Sequence, residues 1–145
     1  MYKHILIATD GSDLAGKALT QGLSLAKALA SQVTVVTVTE PWATQVIGEA
    51  AIAFPFEEYE KAVSANATEI LSKASEASSK AGVSCTTVHV KDRHAAEGIL
   101  ETARARTCDL IVMASHGRRG LTRLLLGSQA HNVVTHSTIP VLICR

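Results

Sequence analysis

The sequence predicts an α/β protein: a three-layer sandwich of helices around a five-stranded parallel sheet. Short apolar runs rich in Val and Ile alternate with helical patterns along the 145 residues. Three of those runs are nearly continuous rather than alternating, which is how strands buried on both faces read. Strands that alternate with helices also call for right-handed crossovers, and these cover a parallel sheet on both sides.

The first strand is His4–Thr9 (HILIAT). From Ser12 to Ala30, Ala15, Ala18, Leu19, Gly22, Ala26, Leu29 and Ala30 recur at spacings of three and four, the mark of a helix with one inward face. Val33–Val38 (VTVVTV) is the second strand. The connection from Thr39 to Phe56 is long for a compact domain and holds Pro41, Trp42, Pro55 and two Phe. It reads as a lid or an oligomer contact, or equally as a surface excursion closed by its own side chains. Around Glu57 to Ala81 the stripe Val63, Ala67, Ile70, Ala74, Ala77, Ala81 keeps helical spacing, and Gly82 supplies a C-terminal stop. Val83–Val90 is the third strand, Ala96, Ile99, Leu100 and Ala103 mark the third helix, and Leu110–Ala114 (LIVMA) is the fourth strand. A fourth helix runs from Ser128 to about Thr135, and Val141–Cys144 (VLIC) closes the sheet. The first, fourth and fifth strands are the nearly continuous runs.

A chain of this length fits one domain, residues 1–145, able to bury about two thirds of its unfolded surface without disulfides or a structural metal. Fourteen Lys and Arg against thirteen Asp and Glu give a net charge of +1, too little to attract a polyanion, and 3% aromatic residues leave no stacking platform. Nucleic acid is therefore not an expected partner. Cys85, Cys108 and Cys144 are odd in number, widely spaced and in or beside apolar runs, so they read as buried reduced thiols rather than disulfides or a zinc knuckle. His89, His94, His131 and His136 form no tight cluster, so no metal site is expected. The apolar run Ile5–Ala8 ends at Thr9 and Asp10, far short of a signal-peptide core or membrane span. The expectation is a cytoplasmic protein with no membrane partner.

In Rossmann-like sheets, ligands bind beyond the carboxyl ends of strands, where the strand order reverses. With the first strand central and the fourth beside it, order 3-2-1-4-5, that crevice sets Thr9-Asp10-Gly11-Ser12 opposite Ala114-Ser115-His116-Gly117. Ser12 or Asp13 as N-cap and Gly11 for a positive φ explain much of the first string without a ligand. Asp10 stands one step earlier, where a carboxylate can accept from a ribose hydroxyl or a base amine. In the second string Gly117 follows a strand and Gly127-Ser128 opens a helix, whose N-terminal amides suit a phosphate. Neither the Walker nor the dinucleotide-binding glycine pattern occurs. No nucleophile or paired carboxylate sits at a catalytic spacing from His116, which reads as a structural or ligand-packing residue. Arg118, Arg119 and Arg123 read as a solvated basic loop within reach of phosphate oxygens.

The order of these pieces resembles the universal stress protein family, whose ATP-binding members carry G-x2-G-x9-G-(S/T) after the fourth strand. Here the run is Ala114-Ser-His-Gly117, nine residues, Gly127-Ser128: the spacing matches and the first glycine is alanine. KHILIATDGS, DLIVMASHGRRG, LLLGSQAHNVV and IPVLICR extend the resemblance from end to end. It implies an ATP-binding stress-response protein, with or without Mg²⁺, acting as a regulator or sensor and not as an enzyme. It places Ala8, Thr9 and Asp10 at the adenine and ribose, and the Val38 backbone at the base. Met113, Ala114, His116 and Gly117 form the wall beside the ribose and phosphates, and Gly127, Ser128, Gln129 and Ala130 hold the phosphates. It also implies a homodimer through Val141–Cys144, where Ile139-Pro140 leads into an edge strand whose apolar surface and unpaired amides a second chain would cover. The alternative is a dimeric interaction module of the same fold that binds no nucleotide, favoured by Ala114.

Overall fold

The computed structural model describes residues 1–45, 48, 55–117 and 125–145. Five strands, β1 (His4–Ala8), β2 (Gln32–Thr39), β3 (Cys85–Lys91), β4 (Leu110–Ala114) and β5 (Val141–Cys144), form one sheet of order β3-β2-β1-β4-β5. All four ladders are parallel, as the sequence predicts. The helices are α1 (Asp13–Leu29), α2 (Trp42–Gln45), α3 (Phe56–Ala81), α4 (Ala95–Ala105) and α5 (Ser128–His136).

The period-2 alternation of strand side chains explains the continuous apolar runs. Ile5, Ile7, Val33, Val35, Leu110 and Val112 join one core cluster with Ala18, Leu19, Leu23 and Ala26 of α1 and Ala74 of α3. Their neighbours Leu6, Ala8, Val36, Ile111 and Met113 join the other, with Ala96, Ile99 and Ala103 of α4 and Ala130 and Val133 of α5. Each central strand thus feeds two cores, β1 beyond His4 and β4 with apolar residues alone, β2 with Thr34 and Thr37 buried among its valines. The fifth run departs from that expectation. β5 is outermost, bonded on one side only, and Leu142 is 40% exposed.

The helix ends follow local chemistry. Of the two candidate N-caps for α1, Ser12 holds the position: its Oγ accepts from the Ala15 amide at 3.2 Å, while Asp13 is the first helical residue. α3 ends on Gly82 at φ 72°, a left-handed cap that suits glycine. Within the Thr39 to Phe56 connection, the turn α2 is an addition to the sequence reading. Trp42 and Phe56 pack edge to face with centroids 6.2 Å apart, which fits an excursion closed by its own side chains. Residues 46, 47 and 49–54 of that connection lie outside the described residues.

At the amino ends of the strands, the Asp109 carboxylate accepts from the Lys3 amide (2.8 Å) and the His4 amide (3.1 Å), fastening β1 to β4. Desolvation pushes this carboxyl up, but those amide bonds outweigh it and hold it below the usual range. All three cysteines are free. Cys108 and Cys144 are buried, whereas Cys85, on the edge strand β3, is only half-buried, against the expectation of three buried thiols. Burial, with Asp109 adding to it, pushes the Cys108 thiol up to about 11, so it is unreactive at neutral pH. Among the described residues no helix is long and apolar enough to cross a membrane.

Candidate functional site at the carboxyl ends of the strands

β1 ends in a tight turn. Thr9 is buried, with its amide bonded to the Val36 carbonyl at 3.0 Å and its Oγ1 accepting from the Gly11 amide at 3.2 Å. Gly11 takes φ 80°. Asp10 is half-buried, and its Oδ1 accepts from the Ser12 amide at 2.9 Å, which fixes the direction of the carboxylate.

β4 ends opposite. Met113, Ala114 and Ser115 are buried, and the Ser115 amide donates to the Cys144 carbonyl at 2.8 Å, so β5 carries the loop's first residue. Ser115 Oγ lies 3.1 Å from His116 Nδ1, which orients the half-buried imidazole. Gly117 then comes so near Asp10 that a Cβ built on it would stand 2.7 Å from Asp10 Oδ2. The two loops therefore meet across the crevice, as the strand order requires.

The third wall is the start of α5. Gly127, its N-cap, donates to the Ser115 carbonyl at 2.8 Å, and a Cβ there would press on that same oxygen at 3.0 Å. No side chain among the described residues caps this helix. The amides of Ser128, Gln129 and Ala130 have no carbonyl within their own helix to bond, as at any helix start. Gln129 sends its side chain elsewhere, to the Ala96 amide at 3.0 Å.

Between these walls lies a cleft of about 750 Å³. Ala8, Thr9, Asp10, Val38, Met113, Ala114, His116, Gly117, Gly127, Ser128, Gln129 and Ala130 all line it, so every site residue expected from the sequence faces one cavity. Arg118, Arg119 and Arg123 lie outside the described residues. Among the described lining residues the charged groups are Asp10 and Glu40, with no Lys or Arg. A second hollow of about 890 Å³ sits at the amino ends of the strands, beside Tyr2, Lys3 and Thr107. The Lys3 and His4 amides there are already taken by Asp109.

The sequence reading missed one side of the cleft: Tyr59, Val63, Asn66, Ala67 and Ile70 of α3, Ala95 and Ile99 of α4, and Leu125 and Leu126. Tyr59 donates to the Glu40 carbonyl at 2.7 Å, and burial, followed by the charges of Glu40 and Asp92, raises its phenol. A signal was present in helix length. The 26 residues of α3 span about 39 Å, whereas an eight-residue strand spans about 26 Å, so the first turns of α3 overhang the sheet and face the cleft. The histidines stand apart. His89 bonds Thr39 Oγ1 at 2.7 Å, and burial, with Lys91 adding to it, lowers its pKa. Among the described residues no group of three or more His, Cys, Asp or Glu could hold a metal ion.

An open parallel sheet with a cleft at its switch point, walled by a glycine-bearing loop and a helix N-terminus, defines a doubly wound α/β protein. Within that class, the universal stress protein family model matches residues 1–145, and the chain belongs to that family. It is 32% identical over 149 residues to universal stress protein YxiE of Bacillus subtilis, covering 100% of both chains. Its fold is similar to that of protein MJ0577 of Methanocaldococcus jannaschii, with TM-score 0.84, 26% identity, and 99% and 96% of the two chains covered. It is also similar to a universal stress protein solved in complex with cAMP, with TM-score 0.74, 27% identity, and 99% and 97% covered.

Proposed function

We propose that the protein binds an adenine nucleotide, ATP, in the cleft at the carboxyl ends of β1, β2 and β4. It acts as a cytoplasmic, nucleotide-linked regulator of the stress response rather than as an enzyme. The observation that carries this is the meeting of Asp10 with Gly117 beside the start of α5, which no side chain among the described residues caps. A carboxylate suits ribose hydroxyls, and a helix start with three amides suits phosphates. In this reading those amides are phosphate ligands contributed by the described lining. The cAMP complex of a relative supports an adenine nucleotide. Mg²⁺ would accompany the phosphates as part of the ligand. Pure protein, denatured and chromatographed, is expected to release adenine nucleotide or, when purified empty, to gain melting temperature with Mg-ATP. The absence of both release and a shift at millimolar ATP would remove the proposal.

The same reading pairs two copies through β5, where Leu142 is 40% and Val134 45% exposed beside the open strand edge. Ala114 favours the second reading, an interaction module without nucleotide. Its methyl belongs to the core cluster with Ile7 and Val112 as well as lining the cleft. Ala114→Gly is therefore expected to lower stability by about 1 kcal/mol and to tighten ATP binding by about tenfold at most. Calorimetry of both proteins checks this. ATP uptake by the glycine variant alone would show that the methyl closes the pocket, and would favour the interaction module.

A further inference from the structure

Gln129 stands second in α5, and its side chain crosses to another element. Its Oε1 accepts from the Ala96 amide, 33 residues away in sequence, at 3.0 Å. α4 needs this bond, because its N-cap is His94, which makes no side-chain capping bond. Gln129 therefore supplies from α5 the cap that α4's own sequence lacks. Both helix starts face one cavity: Ala95 of α4 and Ser128, Gln129 and Ala130 of α5 line the cleft together.

We propose that Gln129 is a positioning residue for the phosphates of the bound nucleotide, acting through Ala96 and not through its side chain on the ligand. This rests on the nucleotide reading above. Among the described residues two hydrogen bonds tie the start of α5 to its surroundings, the Gly127 amide on the Ser115 carbonyl at 2.8 Å and the Gln129 side chain on α4, while Ala130 and Val133 pack in the core. Without the second, the core packing of Ala130 and Val133 still seats the helix, but the bond that sets the angle of its first turn to α4 is lost. Amide-to-phosphate bonds depend on both distance and angle, so a change in that angle weakens them together. Asp10, in the turn after β1, and Val38, on β2, are untouched by it, and contacts to ribose and base persist. Phosphate affinity and nucleoside affinity thus separate.

The test compares the wild-type protein with Gln129→Met, similar in length but with no oxygen acceptor, and Gln129→Glu, which keeps the acceptor. Dissociation constants for ATP and adenosine are measured, together with hydrogen exchange at the Ala96 amide. Gln129→Met is expected to weaken ATP by about fivefold to tenfold, the worth of one hydrogen bond, with adenosine unchanged and Ala96 exchanging faster. Gln129→Glu is expected to restore the protection of Ala96. A Gln129→Met protein that binds ATP as the wild type does overturns the proposal, and so does one that loses ATP and adenosine equally, which marks a general loosening. Wild-type protein that takes up neither ligand overturns the nucleotide reading as well, an outcome distinct from both.

Discussion

Replacing Gly117 with alanine is expected to weaken ATP binding by between about tenfold and a hundredfold while leaving the melting temperature nearly unchanged. The new methyl would stand 2.7 Å from Asp10 Oδ2, closer than such contacts allow. The carboxylate has little room to yield, because its other oxygen is held by the Ser12 amide at 2.9 Å. Turning away from the methyl therefore breaks the Asx turn that aims it. A charge-assisted hydrogen bond to the ribose is worth about 1.5–3 kcal/mol, which sets the range of the loss. Stability is spared because Gly117 is exposed and contributes nothing to either core. Gly16→Ala is the control: it is exposed on α1 with open space around it, so ATP affinity should stay put. Equal ATP binding by wild type and Gly117→Ala, measured by calorimetry, would remove Asp10 from the site.

The parallel α/β class was legible because it rests on strong, local signals, whereas the strand order, and with it the place of the cleft, was assumed and not read. After His4, the runs ILIA and LIVMA carry no polar residue, and strands sandwiched between two cores need such runs. The G-x9-G-S spacing put Gly117 and Gly127 on either side of one loop, and both prove to be places where a methyl presses on polar atoms. What stayed illegible is what depends on packing between distant elements. The stripe Val63, Ala67, Ile70 looks like the rest of α3, and its position beyond the strand ends is a matter of where the helix begins relative to the sheet. Gln129 gave no hint that its partner is Ala96, since a side-chain bond across 33 residues leaves no periodic trace. The edge character of β5 was half legible. Pro140 signalled an edge, but the unbroken VLIC run signalled burial, and a strand bonded on one side satisfies only the first.

Gly98 shows how a residue absent from the expected site governs its wall. It lies inside α4, where alanine would by helix propensity be better by about 1 kcal/mol. The space forbids it: a Cβ would stand 2.7 and 2.8 Å from the two methyls of Val38 and 3.3 Å from a methyl of Val90. Val38 and Val90 are register partners on β2 and β3, so the contact is the point where α4 touches the sheet. Turning a valine only exchanges one methyl for the other, and the helix must lift instead. Overpacking of this kind costs about 1–3 kcal/mol, so after the propensity gain Gly98→Ala is expected to lose up to about 2 kcal/mol net, or as much as several degrees of melting temperature. Lifting α4 also moves Ala95, Ile99 and the Ala96 amide that Gln129 holds, so ATP affinity falls with stability. Val38→Ala alone removes two methyls from the cleft wall and is destabilising too. In combination the two changes relieve each other, and the double variant is expected to be more stable than the sum of the single losses by about 1 kcal/mol or more. Additive losses in thermal melts would mean that Gly98 is not held by Val38, and that its place in α4 has another cause.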